Sequence, residues 1–171
     1  MSFRLATAAD VPALLSLVES AYRGDASRQG WTTEADLLGG QRTDPDSLRE
    51  ILAAPHSRVL LLEVDAELLG CAHIQAHGDW CYFGMFSVRP TRQGGGLGDR
   101  LLRECERQAR EDFGCREMRM SVIWTRTELI AWYERRGYRA TGARKPFPYG
   151  DPRFGEPKRV DLYFEVYAKA L

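Results

Sequence analysis

One stretch constrains this chain more than any other. Phe83-Gly84-Met85-Phe86-Ser87-Val88 runs through Arg89-Pro90-Thr91-Arg92-Gln93 into Gly94-Gly95-Gly96-Leu97-Gly98. Leu97, Leu101, Cys105, Ala109 and Phe113 then recur at every fourth position, and Gly114 follows. The first part reads as an aromatic-rich strand, the last as a four-turn amphipathic helix with a glycine cap. A helix start leaves N–H donors unpaired and carries a partial positive charge, so it favours anions. Glycines let an anion approach the main chain without meeting a Cβ. Arg89, Arg92 and Arg100 add charge of a geometry that suits phosphate. Two familiar phosphate loops do not fit, because no Gly-Lys-Ser/Thr follows the glycines and Asp99 breaks the G-x-G-x-x-G spacing.

The rest of the chain reads as strands and helices in alternation. Phe3–Ala6 is a short strand. Thr7-Ala8-Ala9-Asp10 opens a helix with the stripe Leu14, Leu15, Val18 and Tyr22. Residues 23–33 read as a loop, and Thr32 or Thr33 caps a short helix ended by Gly39-Gly40. Asp44-Pro45-Asp46-Ser47 starts a helix stopped near Pro55. Arg58–Val64 and Leu68–Ala76 form a hairpin, and Trp80–Val88 is the next strand. Glu117–Ile123 is a strand. Thr125-Arg126-Thr127-Glu128 caps a helix closed by Gly137, and Tyr138–Thr141 begins another strand. Residues 145–157 hold four prolines and form an irregular loop before a closing strand at Val160–Ala168. The class is α/β (α+β), with one mixed central sheet in a single domain over residues 1–171.

Composition narrows the function classes. The chain has 171 residues, and 24 Lys+Arg balance 24 Asp+Glu. A nucleic-acid binder is more often basic overall, so that role is disfavoured. Neutrality hides an asymmetry: residues 1–88 carry 6 basic and 12 acidic side chains, whereas residues 89–144 carry 13 arginines against 8 acidic ones. The acidic half favours a cationic ligand over an anionic amino acid. No run of apolar residues is long enough to cross a membrane, and no leader pattern opens the chain, so a cytoplasmic protein is expected. Cys71, Cys81, Cys105 and Cys115 lack C-x-x-C spacing, which argues against a metal site and a disulfide framework.

Gln93, Gly96 and Gly98 fit the pattern Gln/Arg-x-x-Gly-x-Gly/Ala directly after Val88-Arg89-Pro90. This resembles motif A of the GNAT N-acetyltransferase superfamily. Leu129-Ile130-Ala131-Trp132-Tyr133-Glu134-Arg135-Arg136-Gly137-Tyr138 is similar to the family's second hallmark, and Glu67–Ala72 to its third strand. The resemblance spans nearly the whole chain. It implies a mostly antiparallel sheet of six to seven strands flanked by helices. It also implies transfer of acetyl from acetyl-CoA, without a metal, to a primary amine of a small molecule. The loop amides of Gly94, Gly95, Gly96, Leu97 and Gly98, with Gln93, would hold the pyrophosphate. The main chain of Phe86 and Val88 would pair with the pantetheine arm as an added strand does. A backbone N–H near Phe86 would steady the carbonyl oxygen.

Tyr133, protonated at neutral pH with a reference pKa of ~10, is the acid for the leaving CoA thiolate. Two positions depart from the family: Arg126 stands where relatives often carry Asn, and Tyr82 where some carry a carboxylate base. An alkylamine of pKa ~10.4 is neutral only to about one part in 10³ at pH 7, so a base or solvent relay must take its proton. His73, His77, Glu34 and Asp36 are candidates. Residues 31–43 and 146–154 would shape the acceptor site, with Trp31, Phe147, Tyr149 and Phe154 as aromatic walls. Two alternatives stand beside this reading, an acetyltransferase for protein or peptide amines and a non-catalytic acyl-CoA-binding module. Homodimers are common in the family, and the sequence itself sets no oligomeric state.

Overall fold

A computed structural model describes all residues from Met1 to Leu171. In chain order the strands are β1 Ser2–Leu5, β2 Leu38–Gly39, β3 Ser57–Val64, β4 Glu67–His77, β5 Trp80–Val88, β6 Glu117–Ile123, β7 Arg139–Pro146, β8 Glu156–Pro157 and β9 Tyr163–Ala170. The helices are α1 Val11–Tyr22, α2 Gly24–Ser27, α3 Pro45–Ala53, α4 Leu97–Glu111 and α5 Thr127–Glu134. Seven strands form one sheet in the order β1-β3-β4-β5-β6-β9-β7. All neighbours are antiparallel except β5 and β6. The α/β class and the mainly antiparallel sheet are as the sequence led us to expect.

Helices cover both faces. Val59, Leu61 and Cys71 pack against Leu14, Leu17 and Val18 of α1 and Leu48 of α3. Leu60, Leu62 and Ile74 face Leu101, Leu102 and Cys105 of α4. This two-sided burial explains why β3 reads as an unbroken apolar run rather than an alternating one.

The short helix expected after Thr32 is absent. The helical turn sits earlier, at Gly24–Ser27, where the Ser27 hydroxyl donates to the Gly24 carbonyl at 2.7 Å. Thr33 accepts the amide of Ala35 at 3.0 Å, and the chain then straightens into β2. The pairing Leu38↔Pro157 and Gly39↔Glu156 overrides the local capping signal. This two-residue ribbon straps the proline-rich segment back over the first third of the chain. Lys158 strengthens the strap, its Nζ donating to the Ala35 carbonyl at 2.6 Å. A small apolar cluster of Leu38, Ile123, Phe147 and Leu162 fills the space beneath.

Two irregularities open the sheet at its centre. Only Trp80–Tyr82 of β5 pair with Glu117–Arg119 of β6, so the strands part beyond Tyr82. On the other side of β5, Met85 and Phe86 face only Ala72 between the pairs His73↔Gly84 and Cys71↔Ser87. This bulge holds Met85 at φ 50°, a left-handed conformation uncommon for a residue with a side chain. Strained backbone of this kind clusters at functional sites.

Candidate active site

The parted strands create two clefts that meet. The first has a volume of about 390 Å³ and lies along the glycine turn, between Phe86 and Val88 of β5 and Leu129, Trp132 and Tyr133 of α5. The second, about 410 Å³, is lined by Phe83–Phe86, by Met120–Ile123 and by the strapped segment at Phe147 and Phe154. Tyr22, Phe86, Arg126, Leu129 and Tyr133 line both, so these residues mark the junction.

The glycine turn meets the requirements of a phosphate cradle. Helix α4 makes its first intrahelical bond from the Arg100 amide to the Gly96 carbonyl. The amides of Gly94, Gly95, Gly96, Leu97 and Gly98 donate to no protein acceptor. Gly94 and Gly96 adopt φ of 87° and 75°, and a Cβ on Gly94, Gly95 or Gly96 would meet no protein atom within 4 Å. Gly98 serves closeness instead, because a Cβ there would stand 3.2 Å from Cζ of Phe86. Asp99 would repel an anion at this helix start, but Arg136 holds it at 2.8 Å and Arg103 at 2.9 Å.

Of the arginines expected to add charge, Arg89 is spent elsewhere, donating to the Leu68 carbonyl at 2.9 Å. The arginines that line this cleft are Arg126, Arg135 and Arg136. Arg136 stacks on Trp132 with its guanidinium carbon 3.5 Å from the ring centre. The sequence offered no sign of this placement, because these residues flank the next helix, α5.

Both strand carbonyls expected to meet the pantetheine arm already accept one bond. The Tyr22 hydroxyl donates to the Phe86 carbonyl at 2.9 Å, and Nε2 of Gln93 donates to the Val88 carbonyl at 3.0 Å. Each carbonyl retains a second lone pair. Oε1 of Gln93 accepts the Trp31 amide, so this side chain ties the loop of residue 31 to the end of β5. Trp31 thereby reaches the mouth of the first cleft.

Tyr133 sits at the junction, 4% exposed and packed among aromatic rings, with Trp132 at 5.2 Å, Tyr138 at 5.8 Å and Phe83 and Phe86 at 6.4 Å. Its hydroxyl has no protein hydrogen bond, yet it is not sealed from the clefts. Burial raises its pKa well above the ordinary phenol value, so it stays protonated across the neutral range.

The base candidates fare differently. Glu34 is buried in the wall of the second cleft, but Arg23 holds one oxygen at 2.5 Å and Arg126 the other at 2.8 Å. Burial alone would raise this carboxyl. The guanidiniums of Arg126 and Arg23 outweigh it and lower its pKa, which leaves a poor proton acceptor. His73 lies outside both clefts, its Nε2 2.8 Å from the Ser57 hydroxyl, and burial pushes its pKa down to about 4. His77 stacks on Trp80, and Asp36 pairs with Arg28 at 2.6 Å. Tyr82 lines the second cleft, and burial raises its pKa as well. Phe147 and Phe154 are walls of that cleft as expected, whereas Tyr149 is turned to Leu162 and Arg159. No cysteine lines either cleft, and burial holds the Cys71 and Cys81 thiols up at about 12. No group of three or more His, Cys, Asp and Glu side chains could hold a metal ion, and no helix is long and apolar enough to cross a membrane.

A sheet opened at its centre, with bare loop amides beside the opening, is the architecture of an acyltransferase that works on a CoA thioester. Residues 18–138 match the acetyltransferase (GNAT) family model, and the chain belongs to that family. The blasticidin-S acetyltransferase of Streptomyces morookaense is 31% identical over 114 residues, which span 61% of this chain and 81% of that protein. The ribosomal-protein-alanine N-acetyltransferase of Brucella melitensis shares the fold over 100% of both chains, with a TM-score of 0.72 and 19% identity. A GNAT family acetyltransferase from Elizabethkingia anophelis, crystallised with acetyl-CoA bound, superposes at a TM-score of 0.64 and 16% identity, over 99% of this chain and 97% of that one.

Proposed function

We propose that residues 1–171 act as one acetyltransferase domain that moves an acetyl group from acetyl-CoA to the primary amine of a small molecule by direct attack. The observation that carries this reading is the meeting of an amide-lined cleft and a roofed apolar cleft at the unpartnered hydroxyl of Tyr133. Acetyl-CoA, when bound, supplies an activated thioester; the protein's own groups do the rest. The amides of residues 94–98, with the positive end of α4, take the diphosphate. Phe86 has no register partner in either ladder, and its main chain meets the thioester end. Its N–H is the donor we assign to the carbonyl oxygen. The Tyr22 bond to the Phe86 carbonyl fixes that peptide beforehand.

As the C–N bond forms and the C–S bond breaks, the attacking nitrogen loses its extra proton to solvent water, and Tyr133 gives its phenolic proton to the departing sulfur and regains one from solvent. No side chain of the second cleft suits the part of base. Its charged lining is Arg23, Arg42, Arg126 and Lys145 against Glu34, an excess of positive charge. Such surroundings disfavour an ammonium ion and so favour the neutral amine that attacks. The related blasticidin-S acetyltransferase carries a small-molecule name, and the strap over the second cleft fits an acceptor of that size. A free-thiol assay over small primary amines and N-terminal peptides tests this. Turnover confined to peptides would overturn it.

A further inference from the structure

The positive lining has a more specific consequence, which rests on reading the second cleft as the acceptor site. We infer that the acceptor amine carries a carboxylate, and that Arg42 is the specificity residue that receives it. The main-chain amides of Arg42 and Thr43 donate to Oε1 of Glu19 at 2.7 and 2.8 Å, which fixes the turn after β2. The Arg42 side chain then lies over the Tyr22 ring, its guanidinium carbon 4.8 Å from the centroid, within the cleft wall. That guanidinium makes no hydrogen bond and no ion pair with the protein.

Glu34 and Glu19 attract it from a distance, but neither pairs with it, and Oε1 of Glu19 is taken by the two amides. Glu34 is consumed by Arg23 and Arg126, and the Nε atoms of both arginines are buried without a partner. The Arg42 nitrogens, unlike those two, are open to the cleft, so a ligand can reach donors that the protein leaves free. A planar guanidinium with free donors matches a carboxylate in a two-pronged geometry. The remaining walls at Phe83, Met120, Val122, Leu129 and Phe147 are apolar. A short amino acid with a largely apolar skeleton answers both features. The local charge thus runs opposite to the acidic total of residues 1–88, whose carboxylates lie mostly outside this cleft.

The test pairs L-phenylalanine, L-leucine and 4-aminobutyrate with their carboxamides. Binding is measured by calorimetry with CoA present, and turnover by thiol release from acetyl-CoA. At least one acid is expected to bind about tenfold to a hundredfold more tightly than its amide, the range of a hydrogen bond to a charged group. In Arg42→Gln that ratio is expected to collapse to within threefold, with acetyl-CoA affinity unchanged, because Arg42 does not line the first cleft. Thermal unfolding verifies that the variant folds. Equal or tighter binding of every amide, a ratio that persists in Arg42→Gln, or a panel in which no acid binds each overturns the inference. Turnover of amides without acid preference leaves the acetyltransferase reading standing. Acetyl-CoA binding with no amine turned over refutes that reading instead.

Discussion

Replacing Tyr133 by phenylalanine removes one oxygen and little else. The ring keeps its contacts with Trp132, Tyr138, Phe83 and Phe86. The hydroxyl has no protein partner to strand, so stability should change by less than about 1 kcal/mol. The effect on rate follows from proton affinities. A phenol of pKa ~10 is about 1.5 units weaker as an acid than a thiol of ~8.5, and full transfer to the thiolate is uphill by about 2 kcal/mol. Burial raises Tyr133 further. The same dry surroundings also raise the proton affinity of the sulfur, so part of the gap closes. General acids contribute ~10²–10⁴-fold, and this mismatch puts Tyr133 at the low end. The expected loss in kcat is therefore at least tenfold, and nearer a hundredfold, about 1.4–2.7 kcal/mol of barrier. The assay is thiol release at saturating acetyl-CoA and acceptor, with acetyl-CoA affinity from calorimetry expected to stay within threefold. A folded variant with kcat within threefold of the wild type would remove Tyr133 from the mechanism.

Other outcomes follow from the same geometry. Gly96→Val puts a branched side chain into the turn where φ is 75°, and it should weaken acetyl-CoA binding at least tenfold in a chain that still folds; Gly78→Val, at a turn of similar φ (69°) that lines neither cleft, is the control. Wild-type affinity in Gly96→Val would show that the turn is not the binding site. Glu34→Gln leaves Arg23 and Arg126 facing a neutral amide in a buried wall, and it should cost roughly 3–5 kcal/mol, or roughly 6–20 °C in melting temperature. An unchanged melting temperature would show that the two ion pairs contribute no net stability. Burial favours neutral His73 in the folded state, lowering its pKa from 6.5 to about 4. The stability linked to that shift is complete above pH ~6.5 and is lost as pH falls towards ~4, about 2 kcal/mol between pH 7 and pH 5. Urea titrations at both pH values should show His73→Gln losing that much less than the wild type, and equal losses would place the acid sensitivity elsewhere.

The glycine turn was legible because its chemistry is local. Spacing of Gln93, Gly96 and Gly98 before an amphipathic helix is enough to specify main-chain donors at a helix start. The position of Tyr133 beside the clefts was legible as well, through its place between an apolar stripe and Gly137. The second cleft was legible only in part: its aromatic walls Phe147 and Phe154 were, but the convergence of its charged lining was not. Arg42, Arg23 and Glu34 belong to turns with no periodicity, and they converge only because β2 pairs with β8 and Glu19 clamps residues 42 and 43. Tyr22 looked like one more residue of a helical stripe, yet its hydroxyl crosses to the Phe86 carbonyl. Summed charge did not show the lining of this cleft for the same reason, since a cleft responds to the few side chains that face it. The bulge at Met85 carries no mark in a strand of aromatic and apolar residues.

In the proposed function the main-chain hydrogens of residues 94–98 receive a diphosphate. Nitrogen-15 amide spectra of the whole chain, recorded while CoA is added, examine those hydrogens one by one. The amide resonances of Gly94, Gly95, Gly96, Leu97 and Gly98 should move together as CoA saturates, with proton shifts in the direction of stronger hydrogen bonding. Saturation that leaves those five signals in place, with changes confined to other residues, would contradict it.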